Sequence, residues 1–402
     1  MLVVGRAGSG EQRRPVGRRF RTQREERDIA VIRRPVTIRR EDRCRPAGCG
    51  RSFSRWSQKA PARESHNRGG MHTVRLGRTG LKVSQICLGT MTFGLQTERA
   101  ESFAIMDAAA ERGVDFFDVA DVYPVGGTLQ TAGRTEEFVG DWLSGKREQF
   151  VIATKTHMPM GPGPNDRGNS RKHVIAACEA SLRRLKTDYI DLYYIHRWDD
   201  ETPIDETLEA FDDLRRAGKI RYAGCSNIAA WQLVQSLWTA AERGTIRFDA
   251  VQPRYNVIFR QIEAELIPAS RANGVGVVVF NPLAGGVLTG KYKAGEAPRE
   301  GTRFTLGQAA QLYQTRYWQD EQLDVVARLA ADVASRGKSI THVALRWVLD
   351  QPGVTCAIVG ASRADQLRDS LKGVDVTLDD ADRKACDAAW YALPRRRPED
   401  ER

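Results

Sequence analysis

Strand-like and helix-like segments alternate eight times along this chain, and this alternation restricts the possible folds more than any other feature. Each strand-like segment is a short, nearly continuous apolar run, as is typical of parallel strands buried beneath helices. Eight such units favour closure into a (β/α)8 barrel, the TIM barrel, over an open sheet. We predict the strands at 84–89, 114–120, 150–155, 189–196, 220–227, 249–255, 275–282 and 356–360.

Helices are predicted between these strands, and glycines mark where several of them end. Gly113, Gly218, Gly244, Gly274 and Gly337 each follow a helical stretch, where a left-handed cap is favoured. The predicted helices are 101–112, 135–144, 171–186, 204–217, 229–243, 261–273, 321–336, 339–350 and 363–372.

Two other segments complete the predicted architecture. Residues 73–76 and 81–83 are strand-like and flank a glycine-containing turn, so we predict an N-terminal β-hairpin ahead of the barrel. The segment 284–320 is too long for an ordinary strand–helix connection, which indicates a functional loop over the barrel mouth.

The formal net charge of +11 is concentrated at the N-terminus. Residues 1–70 contain 18 Arg and 1 Lys against 7 acidic residues, whereas the remainder has a net charge of −1. We therefore predict two parts, a basic, disordered extension at 1–70 and one barrel domain at 71–402. Because the composition changes so sharply at Met71, we expect the protein to start there. No nucleic-acid partner is expected for the barrel. If the extension itself binds nucleic acid, its affinity should depend strongly on salt.

Several classes of protein are disfavoured by what the sequence lacks. No apolar stretch is long enough to predict a membrane span or a secretory signal. The seven cysteines are odd in number and contain no CxxC pair, which favours unpaired thiols and a cytoplasmic location. Cys44, Cys49 and His66 are too few to predict a metal site.

Three chemically active side chains end successive predicted strands, where barrel enzymes carry their catalytic groups. These are Asp118, Lys155 and His196, and Tyr123 lies in the loop that follows Asp118. Carbonyl reduction needs a proton donor for the developing alkoxide, and Tyr123 is suited to this role if the Lys155 ammonium lowers its pKa. Asp118 would hold Lys155, and His196 would hydrogen-bond the substrate oxygen.

The segments that carry these residues are similar to motifs of the aldo-keto reductase family. They are FFDVADVY at 116–123, VIATK at 151–155, DYIDLYYIH at 188–196, and GKIR and GCSN at 218–221 and 224–227. The similarity runs from about Arg75 to Gly373, and no catalytic member is missing. It implies a barrel that moves a hydride between NADPH and a small carbonyl compound, with Asp118, Tyr123, Lys155 and His196 as the catalytic group.

The same resemblance implies where NADPH would bind. Ser226, Asn227 and Gln252 would hold the nicotinamide carboxamide, and Phe280 would stack on the nicotinamide ring. The residues expected along the ribose, the pyrophosphate and the adenosine are Asn281, Leu283, Gly285, Lys291, Gly360, Ser362, Arg363, Gln366, Asp369 and Ser370. Arg363 begins a helix and carries a guanidinium suited to a 2′-phosphate, which favours NADPH over NADH.

The substrate is poorly encoded in the sequence. Trp198, just past His196, is the predicted substrate contact. The loop after Tyr123 and the long segment 284–320 resemble the branch that contains aryl-alcohol dehydrogenase-like reductases and potassium-channel β subunits, which implies aromatic or medium-sized aldehydes.

Two alternative functions remain open. A regulatory module of the channel-β type would bind NADPH and have little turnover. A barrel isomerase or hydrolase would use Asp118 and His196 and would not bind NADPH. The sequence leaves the oligomeric state and the reaction direction open.

Overall fold

The computed structural model of the protein describes residues 70–395. The predictions of a disordered extension and of a start at Met71 concern residues before this range, so they stay predictions. Cys44, Cys49 and His66 also lie before this range, so the expectation that they form no metal site stays a prediction.

Ten β-strands form a hairpin and a closed barrel within these residues. The hairpin consists of β1, Thr73–Arg75, paired antiparallel with β2, Lys82–Ser84. The barrel strands are all parallel and close in chain order, with the last strand paired to the first. They are β3 Ile86–Gly89, β4 Phe116–Asp118, β5 Val151–Thr156, β6 Ile190–Ile195, β7 Ile220–Ser226, β8 Phe248–Gln252, β9 Gly276–Val279 and β10 Cys356–Gly360. The predicted barrel and hairpin are confirmed.

Helices connect the strands and cover the outside of the barrel. They are α1 Arg99–Glu111, α2 Arg134–Trp142, α3 Arg171–Leu185, α4 Ile204–Arg216, α5 Ala230–Arg243, α6 Leu266–Asn273, α7 Ala310–Tyr317, α8 Asp320–Ser335, α9 Ile340–Asp350, α10 Ala364–Leu371 and α11 Asp380–Tyr391. Two of them, α7 and α11, were not predicted. Among the described residues, no helix has both the length and the apolar character needed to cross a membrane.

The hairpin closes the N-terminal end of the barrel. Leu76 and Val83 are fully buried in the side-chain cluster that fills the barrel interior. Gly77 has a φ of +55°, and a Cβ there would lie 2.5 Å from the Gly274 carbonyl oxygen, just before β9 begins. A larger side chain cannot approach this closely, so the hairpin requires glycine at this turn. The barrel is therefore open only at the C-terminal ends of its strands.

All five cysteines in the described part of the chain are buried and unpaired. Cys87 and Cys356 lie inside the barrel, whereas Cys178, Cys225 and Cys386 pack between the barrel and its helices. Burial raises the pKa of the Cys225 thiol well above its ordinary value. These cysteines therefore act as small core residues.

Candidate active site

The four predicted catalytic residues come together at the C-terminal mouth of the barrel. Asp118 ends β4, Lys155 lies near the end of β5, and His196 follows β6. Because these strands are neighbours in the parallel barrel, their ends lie side by side. Tyr123 reaches the same place from the loop after β4, and its ring centroid lies 5.0 Å from the Lys155 ammonium nitrogen.

Lys155 and Asp118 form an ion pair beneath the mouth. Lys155 Nζ lies 2.5 Å from Asp118 Oδ1, and the lysine side chain is fully buried. Lys155 also donates to the Val119 carbonyl oxygen at 2.7 Å, and Gln252 donates its side-chain amide to Asp118 Oδ2 at 2.7 Å. Burial alone would lower the pKa of Lys155, but Asp118 and Tyr123 together outweigh it and raise this pKa. A charge in this position is stable only because it is paired and hydrogen-bonded.

Tyr123 is held in its protonated form. Burial raises the pKa of its phenol to about 12, and the Lys155 ammonium offsets this rise only in part. The lowering of this pKa by Lys155 that the sequence predicted is present, but burial outweighs it and the net pKa lies above the ordinary value. Sequence shows the neighbouring charge but not the loss of solvent, which is the larger effect here. At neutral pH the phenol keeps its proton, which is the state a proton donor needs.

His196 is an uncharged neighbour of this phenol. Its ring lies edge-on to the Tyr123 ring, with 5.9 Å between centroids. Burial, followed by the charge of Lys155, holds the pKa of His196 well below its ordinary value. Within residues 70–395, its buried Nδ1 has no hydrogen-bond partner. A neutral imidazole in this position can hydrogen-bond a ligand oxygen without adding charge.

A cavity of about 1410 Å³ opens above these residues. Asp118, Tyr123 and His196 line it, whereas Lys155 lies beneath its floor. All fourteen residues predicted to bind the cofactor also line it, namely Ser226, Asn227, Gln252, Phe280, Asn281, Leu283, Gly285, Lys291, Gly360, Ser362, Arg363, Gln366, Asp369 and Ser370. The volume exceeds that of an ordinary small-ligand pocket, so it can hold a dinucleotide and a second small molecule.

Three polar residues at the ends of β7 and β8 form a connected group on the cavity floor. Ser226 Oγ donates to the Gln252 carbonyl oxygen at 2.8 Å, and Asn227 Nδ2 donates to Ser226 Oγ at 3.0 Å and to the His196 carbonyl oxygen at 2.9 Å. Since Gln252 also donates to Asp118, the group is continuous with the predicted catalytic residues. It combines amide and hydroxyl groups that suit a carboxamide ligand.

The long loop after β9 brings cations to the cavity. Lys291, Arg303 and Arg316 all line it. Arg303 was missed by sequence reasoning; it donates to Asn281 Oδ1 at 3.5 Å, and a Cβ on Gly360 would come within 3.2 Å of its guanidinium. The sequence signal was available, because the segment 284–320 carries five basic residues. Their contacts with strand ends far away in the chain become visible only in the fold.

The beginning of α10 differs from the sequence-based expectation. The backbone N–H of Ala364 donates to Glu101 Oε1 at 2.6 Å, so this helix terminus already carries a carboxylate. Arg363 lies at the rim and donates to both carboxylate oxygens of Asp365, at 3.0 and 3.2 Å. Attraction of an anion here depends on the Arg363 side chain more than on the helix terminus that the sequence suggested.

The structure does not place Trp198 in the cavity. Its ring packs edge-on against Trp231, with 6.0 Å between centroids, in a separate small cleft. Arg197, the residue between His196 and Trp198, lines the cavity instead. This position does not agree with the prediction that Trp198 contacts the substrate. Arg197 and Trp198 follow each other directly after β6, and their side chains lie in different clefts.

The lining of the cavity fits a nicotinamide dinucleotide. The unpartnered His196 Nδ1 lies beside the connected polar group of Ser226, Asn227 and Gln252. The loop after β9 and the start of α10 add the cations Lys291, Arg303 and Arg363 to the lining, and these suit phosphate groups. Among residues 70–395, no group of three or more His, Cys, Asp or Glu side chains is arranged to hold a metal ion.

Comparison with known proteins identifies the class. Residues 85–391 match the model of the aldo/keto reductase family. The chain is 41% identical to the uncharacterized oxidoreductase YrpG of Bacillus subtilis over 77% of this chain and 93% of that protein. It is 38% identical to a probable voltage-gated potassium channel subunit beta of Arabidopsis thaliana, over 76% of this chain and 92% of that protein. It is 31% identical to the L-glyceraldehyde 3-phosphate reductase of Escherichia coli K12, over 74% of this chain and 86% of that protein.

The chain therefore belongs to the aldo/keto reductase family, whose members are oxidoreductases that generally use a nicotinamide dinucleotide. The family that the sequence motifs predicted is confirmed.

Proposed function

We propose that this protein reduces an aldehyde or ketone to the alcohol, reversibly, with NADPH as the hydride source and Tyr123 as the proton donor. The observation that carries this proposal is the buried Lys155–Asp118 pair directly beneath Tyr123, on the floor of a cavity large enough for a dinucleotide and a carbonyl compound.

The residues divide the work as follows. When NADPH is bound, it supplies the hydride to the carbonyl carbon. Tyr123 donates its phenolic proton to the carbonyl oxygen, where negative charge develops. Its pKa of about 12 keeps the proton available at neutral pH, yet a developing alkoxide is basic enough to take it. Lys155 stabilises the phenolate that remains, Asp118 holds Lys155, and neutral His196 orients the substrate oxygen.

The proposed cofactor contacts are those that the family resemblance implies, and the cavity lining supports them. Ser226, Asn227 and Gln252 hold the carboxamide, and Phe280 presents its ring to the nicotinamide. The remaining predicted residues hold the ribose, phosphate and adenosine groups. The five buried free thiols fit a reducing compartment, so we propose a cytoplasmic location.

A screen of aldehydes and ketones, with oxidation of NADPH as the readout, tests this function. We expect turnover with at least one carbonyl class and tight NADPH binding measured separately by fluorescence. Tight binding without turnover on any substrate would instead identify a regulatory module, a function suggested by the channel-subunit relatives. Absence of NADPH binding would contradict both functions and would favour the alternative of a barrel isomerase or hydrolase.

Replacement of Arg363 by Ala should weaken NADPH binding selectively. Arg363 lines the adenosine end of the cavity, and its guanidinium can pair with the 2′-phosphate, which NADH lacks. A charge-assisted hydrogen bond is worth about 1.5–3 kcal/mol, so NADPH affinity should fall by roughly 10- to 100-fold while NADH affinity stays unchanged. Titration of both cofactors measures this.

Arg368 provides a matched control, because it lies on the same helix, faces Glu111 at 3.5 Å and does not line the cavity. Arg368→Ala should leave both affinities unchanged. Equal losses for NADPH and NADH in Arg363→Ala would contradict the assignment of the 2′-phosphate to this residue.

A further inference from the structure

Arg197 is a cation at the cavity that the proposed catalytic cycle does not use. It follows His196 directly in the chain, and its exposed side chain lines the cavity. Its backbone is fixed, because the Arg197 carbonyl oxygen accepts a hydrogen bond from Asn169 Nδ2 at 2.9 Å. The backbone of Arg197 is thus held one residue away from the histidine proposed to orient the substrate oxygen.

The guanidinium of Arg197 has no carboxylate partner within residues 70–395. The nearest acidic residue in sequence, Asp199, is fully engaged elsewhere. Its carboxylate accepts from the Asn169 backbone N–H at 2.8 Å, the Thr202 hydroxyl at 2.7 Å and the Glu201 backbone N–H at 3.0 Å. Arg197 therefore faces the cavity with its charge uncompensated.

The rest of the cavity does not repel an anion. Only two carboxylates line it among the described residues, Asp118 and Asp369. Asp118 is paired with Lys155, and Asp369 accepts from Lys372 at 3.2 Å. The other cations that line it are Lys291, Arg303, Arg316 and Arg363; Lys291, Arg303 and Arg363 belong to the part assigned to the cofactor phosphates, and Arg316 lies on α7. Arg197 stands apart from them, beside the catalytic residues.

The loops after β4 and β5 also contribute apolar side chains to the cavity. Val122, Leu129, Met158 and Pro159 line the same cavity on the loops after β4 and β5. A ligand here therefore meets apolar side chains with one cation beside the reacting centre. This combination suits a molecule with an apolar body and a single negative group, since a few placed polar groups fix orientation within an apolar pocket.

We infer that Arg197 is a specificity residue and that the preferred substrate is a carbonyl compound bearing an anionic group, a carboxylate or a phosphate. This inference rests on the proposed reductase function. Arg197 pairs with the anion and thereby directs the carbonyl oxygen toward Tyr123 and His196. A guanidinium binds either anion through paired N–H donors, so the chemistry of recognition is shared.

Matched substrates test this inference in the full-length protein with NADPH. The carboxylate arm compares 4-carboxybenzaldehyde with its methyl ester, and the phosphate arm compares glyceraldehyde 3-phosphate with glyceraldehyde. We expect kcat/KM to be at least tenfold higher for the charged member of one pair, and the pair that shows it identifies the anion. Removal of Arg197 by Arg197→Gln should abolish that preference, mainly by raising KM for the charged substrate.

Two further variants make the result specific. Arg197→Lys keeps the charge and should restore part of the preference. Arg221→Gln removes an exposed arginine on β7, at the opposite end of the barrel, and should leave kcat/KM unchanged for both the charged and the neutral substrate. If Arg197→Gln slows charged and neutral substrates equally, or if the wild-type protein has no preference in either arm, Arg197 does not select an anion. Failure to reduce any of the four aldehydes and failure in the wider screen would instead contradict the reductase function itself.

Discussion

Replacement of Tyr123 by Phe is expected to abolish most carbonyl reduction while leaving NADPH binding intact. The substitution deletes only the hydroxyl that we propose as the proton donor, and the ring keeps its place beside Lys155 and His196. Turnover should fall by at least the ~10²–10⁴-fold that positioned acid–base groups contribute. Steady-state rates and a separate NADPH titration measure the two quantities.

Tyr193→Phe is the appropriate control, because it deletes a buried hydroxyl that reaches the Val174 carbonyl oxygen outside the cavity. This variant should retain near-normal rates. Near-normal aldehyde reduction by Tyr123→Phe would show that the proton comes from another group, and the proposed division of labour would fail.

Replacement of Lys155 by Met should damage both catalysis and stability. It removes the ammonium proposed to stabilise the Tyr123 phenolate, so turnover should fall by a factor similar to that of Tyr123→Phe. It also leaves Asp118 buried without its 2.5 Å partner. Breaking a buried pair in this way typically costs about 3–5 kcal/mol in the free energy of unfolding. Urea unfolding and steady-state kinetics measure the two effects.

Two double variants separate these effects. The double variant Lys155→Met with Asp118→Asn also removes the unpaired carboxylate. Its free energy of unfolding should therefore recover in part, whereas turnover should stay low. In Lys155→Met with Tyr123→Phe, the rate losses should not multiply, because residues that act as one unit are non-additive. A fully multiplicative loss would show that Lys155 and Tyr123 act independently.

The proximity of the candidate catalytic residues could be predicted because strand ends in a parallel barrel have a fixed geometry. Asp118, Lys155 and His196 end neighbouring strands, so their proximity followed from the order of apolar runs. The pKa of Tyr123 could not be predicted in this way, since it depends on desolvation by residues far away in the chain. For the same reason the sequence could not show that Glu101 accepts a hydrogen bond from the first turn of α10, because the two residues are 263 positions apart in the chain.

Some of the missed structure had a local signal. The helix α11 begins with a reciprocal capping arrangement of Asp379 and Asp382, a pattern readable in the sequence. The helix α7 was hidden within a segment that its length marked as a loop, although Tyr313 and Tyr317 pack against the core. The position of Trp198 had no such signal, because the direction of a side chain just beyond a strand depends on the packing of neighbouring helices.

The burial of the five thiols has a practical consequence for measuring how this barrel opens. Cys87 and Cys356 lie inside the barrel, and Cys178, Cys225 and Cys386 lie beneath its helices. A thiol-specific alkylating reagent can reach these sites only when the surrounding structure opens, so each labelling rate reports a local or global opening event. Peptide mapping by mass spectrometry would resolve the barrel interior from the outer helical layer, and added NADPH should slow labelling wherever opening disrupts its site.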